Sequence, residues 1–436
     1  MLNHKELVGL RDKHLGPSLS LAYDQPLHIV RGDAQYLYDA SGNQYLDCVN
    51  NIQHVGHCHP RVVAAARRQH AKLNTNTRYL DETIVKYSKN LTDTLPDGLE
   101  VCFFTNSGSE ANDLALRLAR NFTGSRETIV LGSAYHGHLS SLIEISPYKH
   151  VGIGGNGPPD FVYTVPVPDS FRGKYRGRDC AGDYVKEVQR VIARINGKGL
   201  KVSALVVEAI MGCGGQLLLP DGFLRGSFEL VKKAGGICIA DEVQIGFGRV
   251  GSHFWGFEIC GVVPDIVTMG KPMGNGNPLS AVVTTRDIAD SFNNGMEYFN
   301  SFGGNPVSCA VGQSVLDVLE DEKLQANSYE VGSYLLDQLI SLKSKHDLIG
   351  DVRGAGLFIG VELVNNRETL CPAGNEADVL INLMRDKGLL LSSDGPDRNV
   401  IKIKPPIVFT KENADHLVKT LDDSIPLTRN ITEPTP

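Results

Sequence analysis

Short apolar runs alternate with longer amphipathic stretches through the central part of the chain. The apolar runs end at glycine or polar residues, as buried strands do, and the stretches between them repeat apolar residues at helical spacing. Strands separated by helices of about ten to fifteen residues predict a mostly parallel α/β sheet with helices on both faces. The predicted strands are 101–105, 128–132, 204–208, 236–240, 265–269 and 280–284, and the predicted helices are 81–94, 109–122 and 221–234.

The two ends of the chain have a different pattern. Residues 1–60 contain two short strand-like runs, HIVRG and QYLYD, and are predicted to join a smaller domain and the mouth of the site. Residues 61–310 form the predicted large domain, in which the Gly- and Pro-rich segment 150–180 is interpreted as a long loop. Residues 311–436 are predicted to form a smaller α+β domain with strands LFIGVEL, LLLSS and VIKIK and a helix over 411–423.

Composition places the chain among globular enzymes. Of 436 residues, 42% are hydrophobic and 21% charged, and the net charge of −7 comes without long runs of one sign. This pattern favours neither nucleic acid nor a membrane surface as a partner. No apolar run approaches the roughly 20 residues of a membrane span, and the N-terminal residues lack the apolar core of a signal peptide. The nine cysteines lack a CxxC motif, which predicts reduced thiols in the cytoplasm.

Two motifs invite functions that their contexts do not support. His54, His57 and His59 lie close together, but no carboxylate or thiol pattern completes a metal site around them, so we predict no metal. Residues 152–157 match GxGxxG, the dinucleotide fingerprint. A true fingerprint follows a strand and opens a helix, whereas this segment leads into two prolines, which argues against a nicotinamide dehydrogenase.

One acidic residue and one lysine, thirty positions apart, indicate the chemistry. Asp241 follows the apolar run GICIA, and Lys271 follows DIVTM within a glycine-rich segment. Because ligands collect at the carboxyl ends of parallel strands, the two side chains are expected to face one crevice. A lysine amine can bind the aldehyde of pyridoxal phosphate, and a carboxylate can keep the pyridine nitrogen protonated. Taken separately, each residue is more often a helix cap or a solvated loop residue.

A third segment supplies an anion site. TNSGSEAN (105–112) joins a predicted strand to a predicted helix, and Gly108 allows backbone to approach a ligand closely. Free amides at a helix start favour phosphate, and Ser107 and Ser109 add hydroxyl donors. A plain serine cap is the alternative, but beside Lys271 the phosphate interpretation is favoured.

Together these motifs resemble the class III aminotransferases, which have PLP fold type I. DEVQIGFGR (241–249), TMGKPMGNG (268–276) and SGSEAN (107–112) carry the resemblance, which covers essentially the whole chain. It implies pyridoxal 5'-phosphate as cofactor, Lys271 and Asp241 as catalytic residues, and a phosphate cradle at residues 107–109. It also implies that Tyr135 and His136, in GSAYHGH, lie against the cofactor ring, and that Glu208 and Gln244 hydrogen-bond near the ring and its phenolic oxygen.

The resemblance also implies a partner subunit. Ser301 in NSFGGNP (300–306) matches the family's hydroxyl residue that reaches the cofactor phosphate of the neighbouring subunit. We therefore expect a homodimer with shared active sites. Asn50 and Asn51 lie in a stretch that crosses the active-site mouth in the family and are candidate substrate contacts.

One position departs from the family pattern. The family's usual IRFxPP motif carries an arginine that binds the substrate carboxylate, whereas this chain has IKIKPP with Lys402 at that position. Arginine offers a planar fork and lysine only a point charge, which weakens the case for a simple amino acid or keto acid partner. The motifs more closely resemble the phospho-lyase branch, which acts on ethanolamine phosphate or 5-phosphohydroxylysine.

We therefore predict a phospho-lyase that eliminates phosphate from a phosphorylated amino alcohol. Arg78, Arg249 and Lys402 are the candidates for binding the substrate phosphate, although each could instead form a structural ion pair. An ω-aminotransferase and a non-catalytic scaffold that binds pyridoxal phosphate are the alternatives.

Overall fold

The computed structural model describes residues 2–432. Its α-helices there are α1 (His4–His14), α2 (Pro60–Lys72), α3 (Glu82–Thr92), α4 (Gly108–Thr123), α5 (Ser140–Ile143), α6 (Pro147–His150), α7 (Ala181–Gly197), α8 (Phe223–Lys233), α9 (Arg286–Phe292), α10 (Pro306–Asp321), α11 (Leu324–Lys345), α12 (Gly374–Asp386) and α13 (Lys411–Thr432). Its strands are β1 (Ile29–Asp33), β2 (Tyr36–Asp39), β3 (Gln44–Asp47), β4 (Val101–Thr105), β5 (Glu127–Leu131), β6 (Val162–Val165), β7 (Val202–Val207), β8 (Ile210–Met211), β9 (Leu217–Leu218), β10 (Ile237–Asp241), β11 (Ile266–Met269), β12 (Ser280–Thr284), β13 (Ile349–Ala355), β14 (Phe358–Asn366), β15 (Cys371–Pro372), β16 (Leu389–Leu390), β17 (Ser392–Asp394) and β18 (Val400–Ile403).

A seven-stranded sheet is the centre of the described part of the chain. Its order is β4-β12-β11-β10-β7-β5-β6, and only β12 runs antiparallel to its neighbours. Every residue of β7, β10 and β11 is buried, as expected of parallel strands covered by helices on both faces. Adjacent β10 and β11 pair Asp241 with Thr268, so both strands end at the same edge. The predicted α/β fold with a mostly parallel sheet is confirmed.

Residues from both ends of the chain form the smaller sheets. β1, β2 and β3 form a meander whose last strand pairs in parallel with β16. Next to it, β13, β14, β18 and β17 form an antiparallel sheet. The backbone amide of Lys404 donates to the carbonyl of Cys48, and that of Ile407 donates to the carbonyl of His54. The N-terminal segment is therefore hydrogen-bonded directly to the C-terminal part.

Two details of the predicted elements were wrong. Residues 150–180 are not all loop, because β6 pairs in parallel with β5 and extends the main sheet. LLLSS is not one strand: β16 pairs with β3, whereas β17 pairs with β18 in a different sheet. Both differences arise from pairing between distant segments, which the local apolar pattern does not encode.

Hydropathy and cysteine pairing can also be read from the described chain. No helix within residues 2–432 is long and apolar enough to cross a membrane. All nine cysteines are unpaired, and of these only four are fully buried, whereas Cys58 and Cys371 are exposed.

The sharpest packing constraint in the smaller sheets is a glycine contact. Gly332, on the buried side of α11, faces Gly356 in the β13–β14 turn, where a Cβ at position 332 would overlap the backbone. We expect Gly332→Ala to destabilise the fold by about 1–3 kcal/mol, because α11 must move away from the hairpin. The measurement is the midpoint of urea unfolding by circular dichroism.

The matched control is Gly9→Ala in α1, where an added Cβ meets nothing within 4 Å. It should leave stability unchanged or raise it by up to about 1 kcal/mol, since alanine is the better helix former. Equal stability of the Gly332→Ala variant and the unmodified protein would contradict the packing argument.

Candidate active site

A cavity of about 350 Å³ opens where β7, β10 and β11 end. This is where parallel α/β sheets bind ligands. Its lining consists of Ile52, Asn106, Ser107, Gly108, Ser109, Asn112, Tyr135, His136, Gly137, His138, Glu208, Asp241, Val243, Gln244, Gly270, Lys271, Gly276, Asn277, Pro278 and Leu279.

Asp241 is the buried acid of the cavity. It ends β10, is 4% exposed, and its Oδ2 accepts hydrogen bonds from Asn112 Nδ2 and from the His136 ring, each at 2.8 Å. Its Oδ1 accepts from the backbone amide of Val243 at 3.1 Å. Thr268, on the neighbouring strand, donates to Asn112 Oδ1 at 2.7 Å and fixes that amide. The carboxylate is thus held in one orientation by groups from three segments.

Lys271 lies two residues beyond β11 and lines the same cavity. Burial lowers the pKa of its amine, and the charge of Lys402 lowers it further, while Asp241 and Glu208 raise it. A lysine with a lowered pKa is more often neutral, and a neutral amine is the form that attacks a carbonyl or removes a proton.

The start of α4 forms a narrow cradle on one wall. A Cβ at Gly108 would lie 2.6 Å from the Val243 side chain, so only glycine fits between α4 and that residue. Ser107 Oγ caps α4 by accepting from the amide of Glu110, and Ser109 Oγ contacts His138 Nδ1 at 3.0 Å. The first amides of a helix have no intrahelical acceptor, so this wall offers donors to an anion.

Tyr135, His136 and Glu208 lie along a second wall. The Tyr135 amide donates to Glu208 Oε1 at 3.3 Å, and the amide of Gly212 donates to Glu208 Oε2 at 2.9 Å. Burial raises the pKa of Glu208 to about 7, with Asp241 adding to the rise and His136 opposing it. His136 Nε2 is buried without a hydrogen-bond partner among the described residues.

Gln244 joins the cavity to residues behind it. Its Oε1 accepts from Asn51 Nδ2 at 3.1 Å and from Lys404 Nζ at 3.0 Å. Asn51, predicted as a substrate contact, is buried and therefore reaches the cavity through Gln244.

Lys402, which stands at the family's arginine position, is part of a charged cluster. Its Nζ donates to Asp394 Oδ1 at 3.1 Å, and Lys404 Nζ lies 3.5 Å from Asp394 Oδ2. Gln216 donates to the same Oδ2 at 2.9 Å. Asp394 is 6% exposed, so this single carboxylate faces two cations in a largely buried setting.

Six predicted residues lie outside the cavity lining of their own chain, namely Asn51 and Lys402, described above, and Asn50, Arg78, Arg249 and Ser301. Arg249 requires a correction, because its guanidinium is fully buried and donates to the carbonyls of Leu357 and Pro405. Arg78 and Ser301 are exposed on the surface, where Arg78 pairs with Glu297 at 3.1 Å.

Asn50 donates its backbone amide to Asp47 Oδ1. Its side chain is not part of the lining, so its substrate contact stays a prediction.

Sequence analysis missed three residues that shape the site. Asn112, the last residue of the SGSEAN motif, holds Asp241, and a polar residue on an otherwise apolar helix face could have indicated it. Lys404 lies one residue beyond β18 and two positions after Lys402, and two lysines at strand spacing beside Pro405 were the available signal. Asp394 had no local signal, since its partners lie elsewhere in the sequence.

The three neighbouring histidines, for which no metal site was predicted, make separate structural contacts. His54 Nε2 contacts the carbonyl of Phe247 at 2.7 Å, and His57 Nε2 lies 2.7 Å from Asp47 Oδ2. Among residues 2–432, no group of three or more His, Cys, Asp or Glu residues could hold a metal ion.

Comparison with known proteins gives consistent results. Residues 20–425 match the sequence model described as Aminotransferase class-III. A Drosophila melanogaster protein named alanine–glyoxylate aminotransferase 2-like is 49% identical, over 96% of this chain and 86% of its own. Ethanolamine-phosphate phospho-lyase homolog 1 of Caenorhabditis elegans is 42% identical, over 97% and 94%. A phospholyase from Arthrobacter, solved in complex with phosphoethanolamine, has a TM-score of 0.92 and 38% identity, over 98% and 100%.

The cavity fits three polar groups of pyridoxal 5'-phosphate, namely the pyridine nitrogen, the aldehyde and the phosphate. Asp241 offers a buried carboxylate for the pyridine nitrogen, and Lys271 offers an amine for the aldehyde. The α4 cradle offers amide and hydroxyl donors for the phosphate, and Gly108 lets α4 pack closely against Val243 at this wall. On the sequence match and this fit together, the chain belongs to the class III aminotransferase family, and its cofactor is pyridoxal 5'-phosphate.

Proposed function

We propose that this protein is a phospho-lyase that eliminates phosphate from an O-phosphorylated amino alcohol such as phosphoethanolamine. The observation that carries the proposal is the ion pair between Lys402 and Asp394 at the family's carboxylate-binding position. The names of the C. elegans relative and of the Arthrobacter structure support the same chemistry.

The ion pair matters because of what it leaves for a substrate carboxylate. An unpaired arginine would present two parallel donors, whereas Lys402 presents one ammonium that already donates to Asp394. The Asp394 carboxylate also repels a second carboxylate placed beside it. Phosphoethanolamine has no carboxylate and loses nothing at this position. The arrangement therefore favours substrates without an α-carboxylate over ordinary amino acids.

Several residues of the chain have separate roles in the elimination reaction. Bound pyridoxal phosphate supplies an electron sink for the carbon that bears the amine. Asp241 keeps the pyridine nitrogen protonated, and Asn112 and His136 hold that carboxylate in place. Lys271 would hold the cofactor through its aldehyde, and once a substrate amine has taken that place its free amine would take the proton from the carbon next to nitrogen. Phosphate leaves from the adjacent carbon with the bonding electron pair, and hydrolysis of the released enamine gives acetaldehyde and ammonia.

Amino transfer is the second candidate. It is favoured by the name of the Drosophila relative, which is 49% identical and is called an aminotransferase. The two reactions use the same Asp241 and Lys271 and differ in where the proton on Lys271 is returned. A non-catalytic role is disfavoured because Lys271, whose amine has a lowered pKa, and the buried Asp241 carboxylate line one cavity, as titratable groups of functional sites do.

Lys271 provides a direct test of cofactor attachment. We expect borohydride reduction of the purified enzyme to fix pyridoxal phosphate on the peptide that contains Lys271. Peptide mapping by mass spectrometry identifies the position, and Lys271→Ala should abolish both the label and turnover, because no other amine in the lining can replace it. A label on Lys402 or Lys404 would refute this assignment.

The reaction itself is tested by supplying phosphoethanolamine without any keto acid. We expect phosphate, ammonia and acetaldehyde in equal amounts over many turnovers, measured by colorimetric and coupled assays. An aminotransferase would stop after one half-reaction, because its cofactor would stay in the amine form. No phosphate from phosphoethanolamine or phosphohydroxylysine, together with rapid pyruvate-dependent transfer, would decide for the aminotransferase.

We further propose a cytoplasmic homodimer in which each subunit supplies Ser301 to its partner's site. Ser301 is exposed and is not part of the lining of its own cavity. Large apolar side chains near it and near Arg78 are also exposed, as expected of a surface that another subunit covers: Tyr79, Leu80, Met296, Phe299 and Phe302.

Shared sites predict complementation between two inactive chains. Mixing Lys271→Ala chains with Ser301→Trp chains should restore about a quarter of the normal activity, because half of randomly formed dimers hold one intact site of two. The readout is turnover after the subunits have been unfolded and refolded together. Each variant refolded alone is the control, and full activity of a verified monomer would contradict the proposal.

A further inference from the structure

Lys404 is a buried lysine with an unusual set of partners. It is 3% exposed, and its Nζ donates to Gln244 Oε1 at 3.0 Å and lies 3.5 Å from Asp394 Oδ2. The same Nζ lies 5.0 Å from the centre of the Phe358 ring, a cation–π distance. Lysines are rarely buried this deeply, since the ammonium must leave water.

The fold holds Lys404 in this position from both sides. Its backbone amide donates to the carbonyl of Cys48 at 2.9 Å. Its counter-ion Asp394 is fixed by Gln216, whose Nε2 donates to Asp394 Oδ2 and to the carbonyl of Gly212, both at 2.9 Å. Gln216 is fully buried and its backbone has a φ of 51°, a left-handed conformation that residues other than glycine rarely adopt. Strained, buried residues of this kind are characteristic of functional sites.

The contact with Lys404 determines which way the Gln244 amide faces. An ammonium can only donate, so the Gln244 atom beside Lys404 must be the oxygen. Asn51 donates to the same oxygen. The nitrogen of Gln244 is therefore left on the other side, and within residues 2–432 no protein group accepts its hydrogen bonds. Because Gln244 lines the cavity, those N–H groups are available to a ligand there.

The cofactor's own connectivity indicates which of its atoms meets this amide. In pyridoxal phosphate the aldehyde carbon is flanked by the phosphate-bearing arm on one side and the phenolic oxygen on the other. The α4 cradle, which suits the phosphate, packs against Val243 and Gly270, whereas Gln244 lies against Gly212 and Asn51. The phenolic oxygen is the remaining anionic atom and needs a donor.

We propose that Lys404 is a positioning residue, which turns the Gln244 amide so that its N–H groups donate to the phenolic oxygen of the cofactor. The inference rests on cofactor binding at Lys271 and not on which reaction follows. Lys404 also places a positive charge behind the amide. Both effects stabilise the phenolic oxygen as an anion. The proton that this oxygen shares with the nitrogen of Lys271 is therefore lost at lower pH.

Several other charged groups face Lys404 and must be considered in any titration. The pKa of Lys404 is lowered to about 8, chiefly by burial and also by the charges of Lys402 and Lys271, while Asp394 and Cys213 oppose this shift. Lys402 provides a matched comparison, because it pairs with the same Asp394 but does not contact Gln244.

The test follows the visible absorption of the cofactor-loaded enzyme against pH, without substrate. In Lys404→Met the midpoint, which is the pH at which the absorption change is half complete, should rise by about one pH unit. The reason is that a donor-only partner and a charge are both removed. Lys404→Arg, which keeps a donor-only cation, should return the midpoint toward that of the unmodified enzyme. Lys404→Gln replaces the methionine variant if that variant does not fold, and its midpoint should rise in the same way. Lys402→Met should shift the midpoint by less than half as much.

A double-mutant cycle separates positioning from charge alone. In a Gln244→Ala background, Lys404→Met should produce less than half of its usual shift, because the amide through which it acts is gone. An unchanged midpoint in Lys404→Met, equal shifts in Lys402→Met and Lys404→Met, or a full shift without Gln244 would each overturn the inference. Absence of the absorption band from the unmodified enzyme would instead overturn cofactor binding itself, so the two failures are distinguishable.

Discussion

The buried carboxylate of Asp241 is the constraint on which the site depends. A charge that leaves water must be met by donors, and here each donor belongs to a different segment. Asn112 brings in α4, His136 brings in the loop after β5, and the amide of Val243 belongs to the turn after β10. The same network that satisfies the carboxylate therefore also fixes the phosphate cradle and the ring wall relative to it. The site is positioned as one unit because its central charge permits no looser arrangement.

Charge balance continues behind the cavity. Lys402 and Lys404 are compensated by a single Asp394, whose second oxygen also accepts from Gln216. An arrangement with two cations and one anion retains a positive field toward the cofactor while presenting no free fork for a carboxylate. Lys402, which stands at the family's arginine position, is thus part of a charge network that sets the electrostatic field of one wall of the site.

How far the sequence predicts this protein depends on whether the signal is local. Asp241, Lys271 and the α4 cradle were found because each lies where an apolar run meets a turn, and the resemblance then supplied their roles. The parallel sheet followed from the same alternation of strands and helices.

The predictions that failed depended on contacts between segments distant in the sequence. The strand β6 and the division of LLLSS into β16 and β17 depend on pairing between distant segments. Arg249 was misjudged because its partners, Leu357 and Pro405, come from a later part of the chain. Asp394 had no local pattern at all.

The parallel pairing of β3 with β16, with the Lys404–Cys48 hydrogen bond beside it, also has a consequence for biosynthesis. The strands of the main sheet all precede β16 and Lys404 in the sequence, so during synthesis that sheet can form before β3 and Cys48 find these partners.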